Sequence, residues 1–367
     1  MEKRKYLIVA SRFPQDIREG GGMRIQRTLA ALKDQSELFP LNPWSQNSLL
    51  SNILSAPWAL LRLWSRVKKT HGLHILFFYS DLPLNPLSRI DGLFRVVIFI
   101  MNRFSAVARK SNHRLVLDVE DLPREQSKAL GIRLYISDQS LTRFEQKLFP
   151  LFDEIWFTSK PMAEYEQKLL RYSFEDKLKI IPNSAPSFSG VPANPLQGSA
   201  KRILYAGTLN PERGVGFLIE TIQQMGNGFE LHLCGQSGEW ILERYGKLSN
   251  VRWWDSLRED EASALAKSCD IGIIPHPRQL YLDMTSNSKL AFYVMAGLPF
   301  LAPSHTLSAE MIEKYGIGLT FEYNPPSLRD AILDTLDPKT LSQLKENVRR
   351  SQRFFETRSI YEPVQNE

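Results

Sequence analysis

The sequence predicts an α/β protein with two domains, each built on a parallel sheet, and three observations support this. A length of 367 residues exceeds that of most single domains. Short apolar runs alternate with segments of helical apolar spacing, as in repeated β-α-β units. A stretch rich in proline, serine and glycine at residues 184–200 interrupts the alternation, which then restarts. We therefore predict two Rossmann-like domains, residues 1–183 and 201–339, joined by a linker at 184–200, with a cleft between them.

The composition indicates an ordinary globular protein, with 43% hydrophobic and 23% charged residues. No run of eighteen apolar residues is present that could cross a bilayer. The first five residues lead directly into a strand-like run, without the apolar segment of a signal peptide. The two cysteines, Cys234 and Cys269, lie in apolar runs, and we expect them to be buried thiols in a reducing compartment. These features predict a cytoplasmic protein.

The first third of the chain is strongly basic. Residues 1–117 contain 18 Lys and Arg against 7 Asp and Glu, a net charge of +11, whereas the whole chain carries +6. Residues 43–70 and 90–110 mix this charge with large apolar side chains that include Trp44, Trp58 and Phe94. Such helices either lie on an anionic membrane, on the inner face in this case, or pack on the sheet with their charges in water. Nucleic acid fits less well, because no nucleic-acid-binding motif accompanies them.

The first domain opens with a buried strand, Tyr6–Ala10, followed by a predicted loop containing Gly20, Gly21 and Gly22 and then a helix from Met23. A glycine loop after a strand cradles a phosphate or lets a substrate approach the backbone, unless it is simply a flexible connection. It lacks the lysine of a phosphate-binding P-loop and the spacing of a dinucleotide fingerprint. We expect Gly21 and Gly22 to lie on the acceptor side of the cleft.

Three carboxylates follow a later strand of this domain, which ends at Leu117. Asp118, Glu120 and Asp121 would lie at the carboxyl end of a parallel strand, the edge at which open α/β sheets bind ligands. Like charges so close together raise at least one pKa, which suits a general base. The alternative is an acidic loop that caps the next helix or pairs with Arg124.

The second domain repeats the strand and helix alternation. Its predicted strands begin at Arg202, Phe229, Val251, Ile271 and Phe300. Residues 340–357 have the pattern of a polar helix, and we expect the segment 340–367 to pack back on the first domain.

One helix of the second domain carries the clearest sign of a ligand. Thr285 to Pro299 has capping residues at its start, an apolar middle, a glycine at the C′ position and a proline after it. Lys289 lies in the first turn, where the helix dipole disfavours a cation. The lysine is either solvated or placed there for an anion, and phosphate is favoured because helix N-termini bind it.

At this point four segments of the second half together resemble the donor-binding half of GT-B-fold glycosyltransferases, in particular glycosyltransferase family four. The four segments are 205–214, 231–235, 250–275 and 287–299. The resemblance covers residues 200–320 well, whereas the first half shares the opening strand, the glycine loop and the segment Ile181–Asn183. It implies a GT-B architecture, with an acceptor-binding domain at 1–183 and a nucleotide-sugar-binding domain at 201–339.

The resemblance also implies roles for particular residues. Arg213 and Lys289 would hold the donor diphosphate, together with the backbone near Gly207 and the helix start at Asn287 and Ser288. The nucleotide base would lie near the turn at 254–258. Glu120 and Asp121 stand where the family often has a histidine and an aspartate that contact the sugar.

Three positions depart from the family pattern. Met284 and Phe292 occupy the places of the family's first and second glutamate, and it is the second, at 292, that usually holds the ribose. Thr208 replaces an arginine. Ribose recognition must therefore differ. None of the six histidines has metal-ligand spacing, and we expect neither metal nor cofactor because a basic pair can neutralise the diphosphate. His276 follows a strand end, where it either lines the cleft or is an ordinary surface residue.

The sequence thus predicts an enzyme that transfers a sugar, most simply from a UDP-sugar, to a glycan, lipid-linked glycan or glycoprotein acceptor of surface polysaccharide or protein glycosylation. Its partners would be the nucleotide-sugar, the acceptor and a membrane surface, and not nucleic acid. The alternatives are a transferase-like scaffold subunit without activity and a sugar-nucleotide epimerase of the same fold.

Overall fold

The computed structural model describes residues 4–10, 20–41, 49–81, 93–134 and 136–366. The chain forms two compact units. The first unit comprises Met1–Lys128, Ile132–Pro182 and Ile360–Glu367, and the second comprises Ala129–Gly131 and Asn183–Ser359. Each unit contains a six-stranded parallel sheet with helices. The predicted α/β fold with two Rossmann-like sheets is confirmed.

The first unit is organised on the strand order β2-β1-β3-β4-β5-β6. These strands are β1 (Tyr6–Ala10), β2 (Ser36–Pro40), β3 (His74–Phe78), β4 (Arg114–Val119), β5 (Glu154–Phe157) and β6 (Leu178–Ile180). The helices that connect them are α1 (Gly20–Ala31), α2 (Leu49–Lys69), α3 (Leu93–Lys110), α4 (Pro123–Leu130), α5 (Asp138–Leu148) and α6 (Lys160–Leu170). β1, β3 and β5 are buried along their whole length, as expected of a parallel sheet covered by helices.

The glycine segment of the first unit differs from its prediction. Gly20, Gly21 and Gly22 form the first turn of α1 and are not in a loop. A glycine run is a poor helix former, so packing must supply the stability: further along α1, Ile25 and Thr28 are buried. Residues 43–48 of the first predicted basic segment, which include Trp44, and residues 90–92 of the second lie outside the described residues.

The second unit has the strand order β12-β11-β10-β7-β8-β9. These strands are β7 (Lys201–Ala206), β8 (Phe229–Cys234), β9 (Val251–Trp253), β10 (Ile271–Ile273), β11 (Phe300–Pro303) and β12 (Gly318–Phe321). Its helices are α7 (Val215–Met225), α8 (Glu239–Tyr245), α9 (Glu259–Ala266), α10 (Leu280–Met284), α11 (Ser288–Met295), α12 (Leu307–Tyr315), α13 (Pro325–Leu336) and α14 (Pro338–Ser351). From β7 the chain adds β8 and β9 on one side of the sheet, and from β10 onward it adds strands on the other side. Open α/β sheets bind ligands at this switch point, which lies between β7 and β10.

The segment 184–200 is part of the second unit. Ala185 and Phe188 are buried in its core, and Ala185 pairs in parallel with Glu356. The main-chain N–H of Asn194 donates to Ala264 O at 2.9 Å. The proline- and serine-rich segment that was predicted to be a linker therefore packs on the second unit, although it has no regular secondary structure.

The C-terminal segment is divided between the units. α14 packs against α11, α12 and α13 of the second unit. The last helix, α15 (Thr357–Asn366), places Tyr361 and Val364 in the core of the first unit. There the Tyr6 hydroxyl donates to Val364 O at 2.9 Å, and the Tyr361 and Thr28 hydroxyls are 2.7 Å apart.

Candidate nucleotide-sugar site and comparison with known proteins

Two glycines bring the ends of β7 and β8 together in the second unit. Gly207, directly after β7, has a φ of +134° and donates its N–H to Cys234 O at 2.8 Å. A side chain at Gly235, directly after β8, would overlap the carbonyl group of Gly207. The neighbouring Thr208 is half-buried, and its carbonyl accepts a hydrogen bond from the Tyr205 hydroxyl at 2.9 Å. The absence of side chains at Gly207 and Gly235 thus lets the main chains of the two turns approach each other closely at this sheet edge.

α11 begins beside this edge and is anchored by one tyrosine. The buried Tyr293 hydroxyl accepts from Ala206 N at 3.0 Å and lies 3.2 Å from Ile273 O. It therefore joins the helix to both β7 and β10, the two strands at the reversal point. Gly297 has a φ of +78° after the helix, in agreement with the C′ position that the sequence predicts.

The start of α11 has the predicted cap. Asn287 is the N-cap residue, and its Oδ1 accepts the N–H of Lys289 at 3.0 Å. Ser288 is the first helical residue, and both Asn287 and Ser288 are half-buried. The positive end of the helix dipole therefore lies at the β7–β10 edge, with Asn287 satisfying one of the main-chain donors.

Lys289 is a buried cation, with 8% of its surface exposed. Its Nζ lies 5.3 Å from the centre of the Tyr205 ring, a cation–π contact, and its side chain lies against Gly207. Among the described residues no carboxylate pairs with it. Burial and the nearby Arg213 hold the pKa of Lys289 well below its usual 10.5. A buried lysine without a carboxylate partner is suited to binding an anion.

Arg213 supplies a second cation to the same place. It ends the short 3₁₀ turn Pro211–Arg213, and its Nε is buried without a hydrogen-bond partner in the described part of the chain. The next residue, Gly214, has a φ of +79°, and a side chain there would overlap Pro275 O and approach the Tyr323 hydroxyl to 2.9 Å. Only glycine fits this turn, so the geometry that directs Arg213 depends on Gly214.

His276 belongs to the same cluster and is buried, with 3% of its surface exposed. Its Nδ1 lies 3.4 Å from the Asn287 amide nitrogen, whereas its Nε2 has no partner among the described residues. Burial, Lys289, Arg213 and His305 hold the pKa of His276 well below 6.5. The interpretation of His276 as an ordinary surface residue is therefore wrong. No local pattern predicts the contact of His276 with Asn287, which is eleven positions away.

The three carboxylates of the first unit lie at the end of β4, but they differ in environment. Asp118 is fully buried and accepts two hydrogen bonds from Arg24, at 2.7 and 2.8 Å. Arg24 also donates to Ile181 O at 3.0 Å. A carboxylate held on both oxygens by a buried arginine is suited to joining α1 to the sheet and not to moving a proton.

Glu120 and Asp121 follow β4. Glu120 is buried, accepts a hydrogen bond from Ser80, and has one carboxyl oxygen without a partner. Burial, followed by the charge of Asp118, raises the pKa of Glu120 well above its usual value, which favours the protonated acid. Asp121 is half-buried and is the most accessible of the three. Gly21 and Gly22, the predicted acceptor-side residues, belong to α1 of this unit.

The described residues contain no group of three His, Cys, Asp or Glu side chains arranged to hold a metal ion. No helix in the described ranges is long and apolar enough to span a bilayer.

Solved structures similar to this chain extend over nearly all of it. Sucrose-phosphate synthase from Thermosynechococcus elongatus has a TM-score of 0.71 at 13% identity, over 99% of this chain and 98% of that chain. HepE from Anabaena, in complex with UDP and glucose, has a TM-score of 0.66 at 14% identity, with the same shares covered. A glycosyltransferase from Rickettsia africae has a TM-score of 0.64 at 12% identity, over 100% of this chain and 98% of that chain. The chain has the GT-B fold.

The predicted resemblance to GT-B-fold glycosyltransferases is thereby confirmed. In addition, residues 222–361 of this GT-B chain match the family model described as glucosyltransferase 3-like, C-terminal domain. That segment contains α11, Lys289 and His276. No curated protein sequence matches the chain.

Two of the three positions at which this GT-B chain departs from the family-four pattern hold buried apolar side chains. Phe292 is buried in the second unit, and its ring lies edge-on to Phe188 at 5.7 Å between centres. Met284, at the other glutamate position, is also buried. Neither position presents a polar group to a ribose.

Proposed function

We propose that this chain is a glycosyltransferase that moves a sugar from a UDP-sugar to a hydroxyl acceptor. The observation that carries the proposal is a pair of basic side chains near the start of α11, neither of which has a carboxylate partner among the described residues. Lys289 is buried, and Arg213 is half-buried with its Nε enclosed. Two cations beside a helix N-terminus suit a diphosphate. HepE, which shares the fold, has been solved with UDP and with UDP-glucose, which favours uridine as the nucleoside.

The chemistry assigned to this pair is stabilisation of the leaving group. The bond between the anomeric carbon and the β-phosphate oxygen breaks while the acceptor oxygen bonds to that carbon. Negative charge develops on the diphosphate, where Lys289 and Arg213 attract it more strongly than in the ground state. These cations do the work that a metal would do, and we propose that transfer needs neither metal nor cofactor.

The acceptor is assigned to the first unit. Of its three candidate carboxylates, Asp121 has the exposure that contact with an acceptor or sugar hydroxyl requires, whereas Asp118 is bound by Arg24 and Glu120 favours its protonated form. We propose that Asp121 orients the acceptor hydroxyl or receives its proton, with Glu120 beside it.

The same unit carries a surface suited to an acceptor held at an anionic membrane. α2 and α3 pack against each other and expose Trp58, Leu61 and Phe99 to 72%, 63% and 60%. Basic side chains accompany them on the two helices: Arg62, Arg66, Lys68, Lys69, Arg95, Arg103, Arg109 and Lys110. Exposed aromatic groups with flanking cations are typical of helices that lie on anionic lipid. We propose that the protein acts at the inner face of a membrane, on a glycan or lipid-linked acceptor.

A screen of nucleotide sugars tests the enzymatic proposal. The protein is mixed with UDP-glucose, UDP-galactose, UDP-N-acetylglucosamine and GDP-mannose, with and without EDTA, and thermal stabilisation and slow hydrolysis are measured. We expect one UDP-sugar to stabilise the fold and to be hydrolysed, with no effect of EDTA. The Lys289→Ala variant should lower that rate by about 10²–10³-fold. A folded protein that none of these nucleotide sugars stabilises would favour the scaffold, and turnover to an isomeric sugar without acceptor would favour the epimerase.

Sedimentation with lipid vesicles tests the membrane assignment separately. We expect binding to vesicles containing phosphatidylglycerol and not to vesicles of phosphatidylcholine alone. The triple variant Trp58→Ser, Leu61→Ser and Phe99→Ser should remove this binding while leaving thermal stabilisation by UDP-sugar unchanged. Equal binding of variant and wild type would contradict the assignment.

A further inference from the structure

The N-cap of α11 fixes the orientation of the Asn287 side chain. Its Oδ1 accepts the N–H of Lys289 at 3.0 Å, so the NH₂ group must be at the opposite side of the amide. That NH₂ group lies 3.4 Å from Nδ1 of His276. Because an amide NH₂ can only donate, Nδ1 must accept, and the single proton of the neutral imidazole is then on Nε2. A helix cap thus selects a histidine tautomer.

The Nε2–H group is buried and lacks a protein partner. Nε2 has no hydrogen-bond partner among the described residues, although the ring is 97% covered. Buried donors are nearly always bonded, so a free one in a cluster of cations indicates a missing acceptor. Lys289, Arg213 and His305 lie near enough to influence the charge of the ring, and His305 Nε2 is 3.6 Å from Asp283. Burial, followed by Lys289, Arg213 and His305, holds the pKa of His276 well below 6.5, so the ring is neutral at neutral pH.

We propose that His276, held as the Nε2–H tautomer by Asn287, donates a hydrogen bond to a diphosphate oxygen of the nucleotide-sugar. This inference rests on the proposed function of the second unit as a nucleotide-sugar site. His276 is then a binding residue and Asn287 its positioning residue. A neutral donor suits the place, because a third cation beside Lys289 and Arg213 would add repulsion in the empty site.

The tautomer is measurable before any ligand is added. With ¹⁵N-labelled histidine, long-range ¹H–¹⁵N spectra distinguish the two tautomers, and the spectrum of His276→Gln assigns the signal among the six histidines. We expect the Nε2–H form at pH 7 and a shift of the Nε2 signal on adding UDP or inorganic pyrophosphate. An Nδ1–H tautomer, or a signal that UDP leaves unchanged while UDP binds, would overturn the inference.

Matched variants separate a role in binding from a role in folding. His276→Leu keeps the bulk of the ring but loses the donor, and UDP should bind about 10- to 100-fold more weakly, as for a hydrogen bond to a charged group. His276→Gln keeps a donor near Nε2 and should recover most of this loss. Asn287→Ser keeps an N-cap acceptor but removes the amide donor to His276, so it should abolish the tautomer preference and weaken UDP binding several-fold. Equal UDP affinity in wild type and His276→Leu would contradict the inference.

The two ligands distinguish failure of this inference from failure of the proposed function. If pyrophosphate shifts the His276 signal but UDP, ADP and GDP do not bind, the anion contact stands and the nucleotide-sugar assignment falls. If UDP binds and His276 does not respond, the proposed function stands and the histidine contact falls. If neither ligand binds or shifts the signal, both fall.

Discussion

The side chain of Lys289 lies directly on the main chain of Gly207: a methyl group added to Gly207 would stand 2.5 Å from Lys289 Cε and 2.9 Å from its Nζ. The two residues are 82 positions apart and come from different β-α units. Because Gly207 has no side chain, the Lys289 side chain can extend from α11 across the end of β7.

Replacing Gly207 by alanine should therefore displace the amine. The new Cβ meets the lysine stem, and a φ of +134° adds strain for any L side chain. We expect binding of UDP, measured by calorimetry, to weaken at least tenfold. Gly226→Ala is the matched control, because Gly226 has a φ of +82° but open space at its Cβ. If both variants bind UDP like the wild type, the contact has no bearing on the site.

Replacing Lys289 by methionine should separate stability from function. The methionine keeps an unbranched apolar stem over Tyr205 and Gly207 but removes a buried amine that has no carboxylate partner among the described residues. We expect the free energy of unfolding of the ligand-free protein to be unchanged or raised by about 1 kcal/mol, because burying an amine without a carboxylate partner destabilises a fold whether or not the amine is protonated. Sugar transfer should fall by about 10²–10³-fold. A marked loss of stability in urea unfolding would show that the amine has a structural partner.

Donor binding should be linked to proton uptake. Burial and Arg213 lower the pKa of Lys289 in the empty site, and a bound diphosphate would raise it back towards 10.5. Between the lowered and the restored pKa the complex holds more protons than the free protein, so affinity for UDP should fall as pH rises through this window. Calorimetry in buffers of different ionisation enthalpy measures the uptake directly. Identical heats in all buffers across this window would contradict it, and Lys289→Met should abolish any uptake that Lys289 causes.

The Asp118–Arg24 pair should matter for stability rather than for chemistry. Asp118→Asn removes the carboxylate that accepts two hydrogen bonds from the buried Arg24, and breaking a buried ion pair typically costs about 3–5 kcal/mol. The double variant Asp118→Leu with Arg24→Met replaces the pair by apolar groups and should recover most of that loss. Sugar transfer by the double variant, assayed below its melting temperature, should remain near the wild-type rate. A stable but inactive double variant would instead assign Asp118 to the reaction.

The sequence predicted those features of the fold and site that depend on local pattern. The alternation of strands and helices predicted both sheets. The capping residues and Gly297 predicted α11 and the position of Lys289 in its first turn. Contacts between distant segments carry no local signal. The partner of Asp118 is Arg24, 94 positions away, whereas the nearer Arg124 donates to Glu145 at 2.6 Å. The helical start at Gly20 was missed for a related reason, since tertiary packing outweighs the low helix propensity of glycine.

The edge-on packing of Phe292 against Phe188 has a consequence for comparing homologues. A glutamate introduced at 292 would place a carboxylate against a phenylalanine ring in the core, so it could not restore the ribose contact of family four by itself. The two positions should vary together in evolution: sequences with an acidic residue at 292 should have a small or polar residue at 188, and those with phenylalanine at both should accept nucleotides that lack a 2′ or 3′ hydroxyl with little penalty.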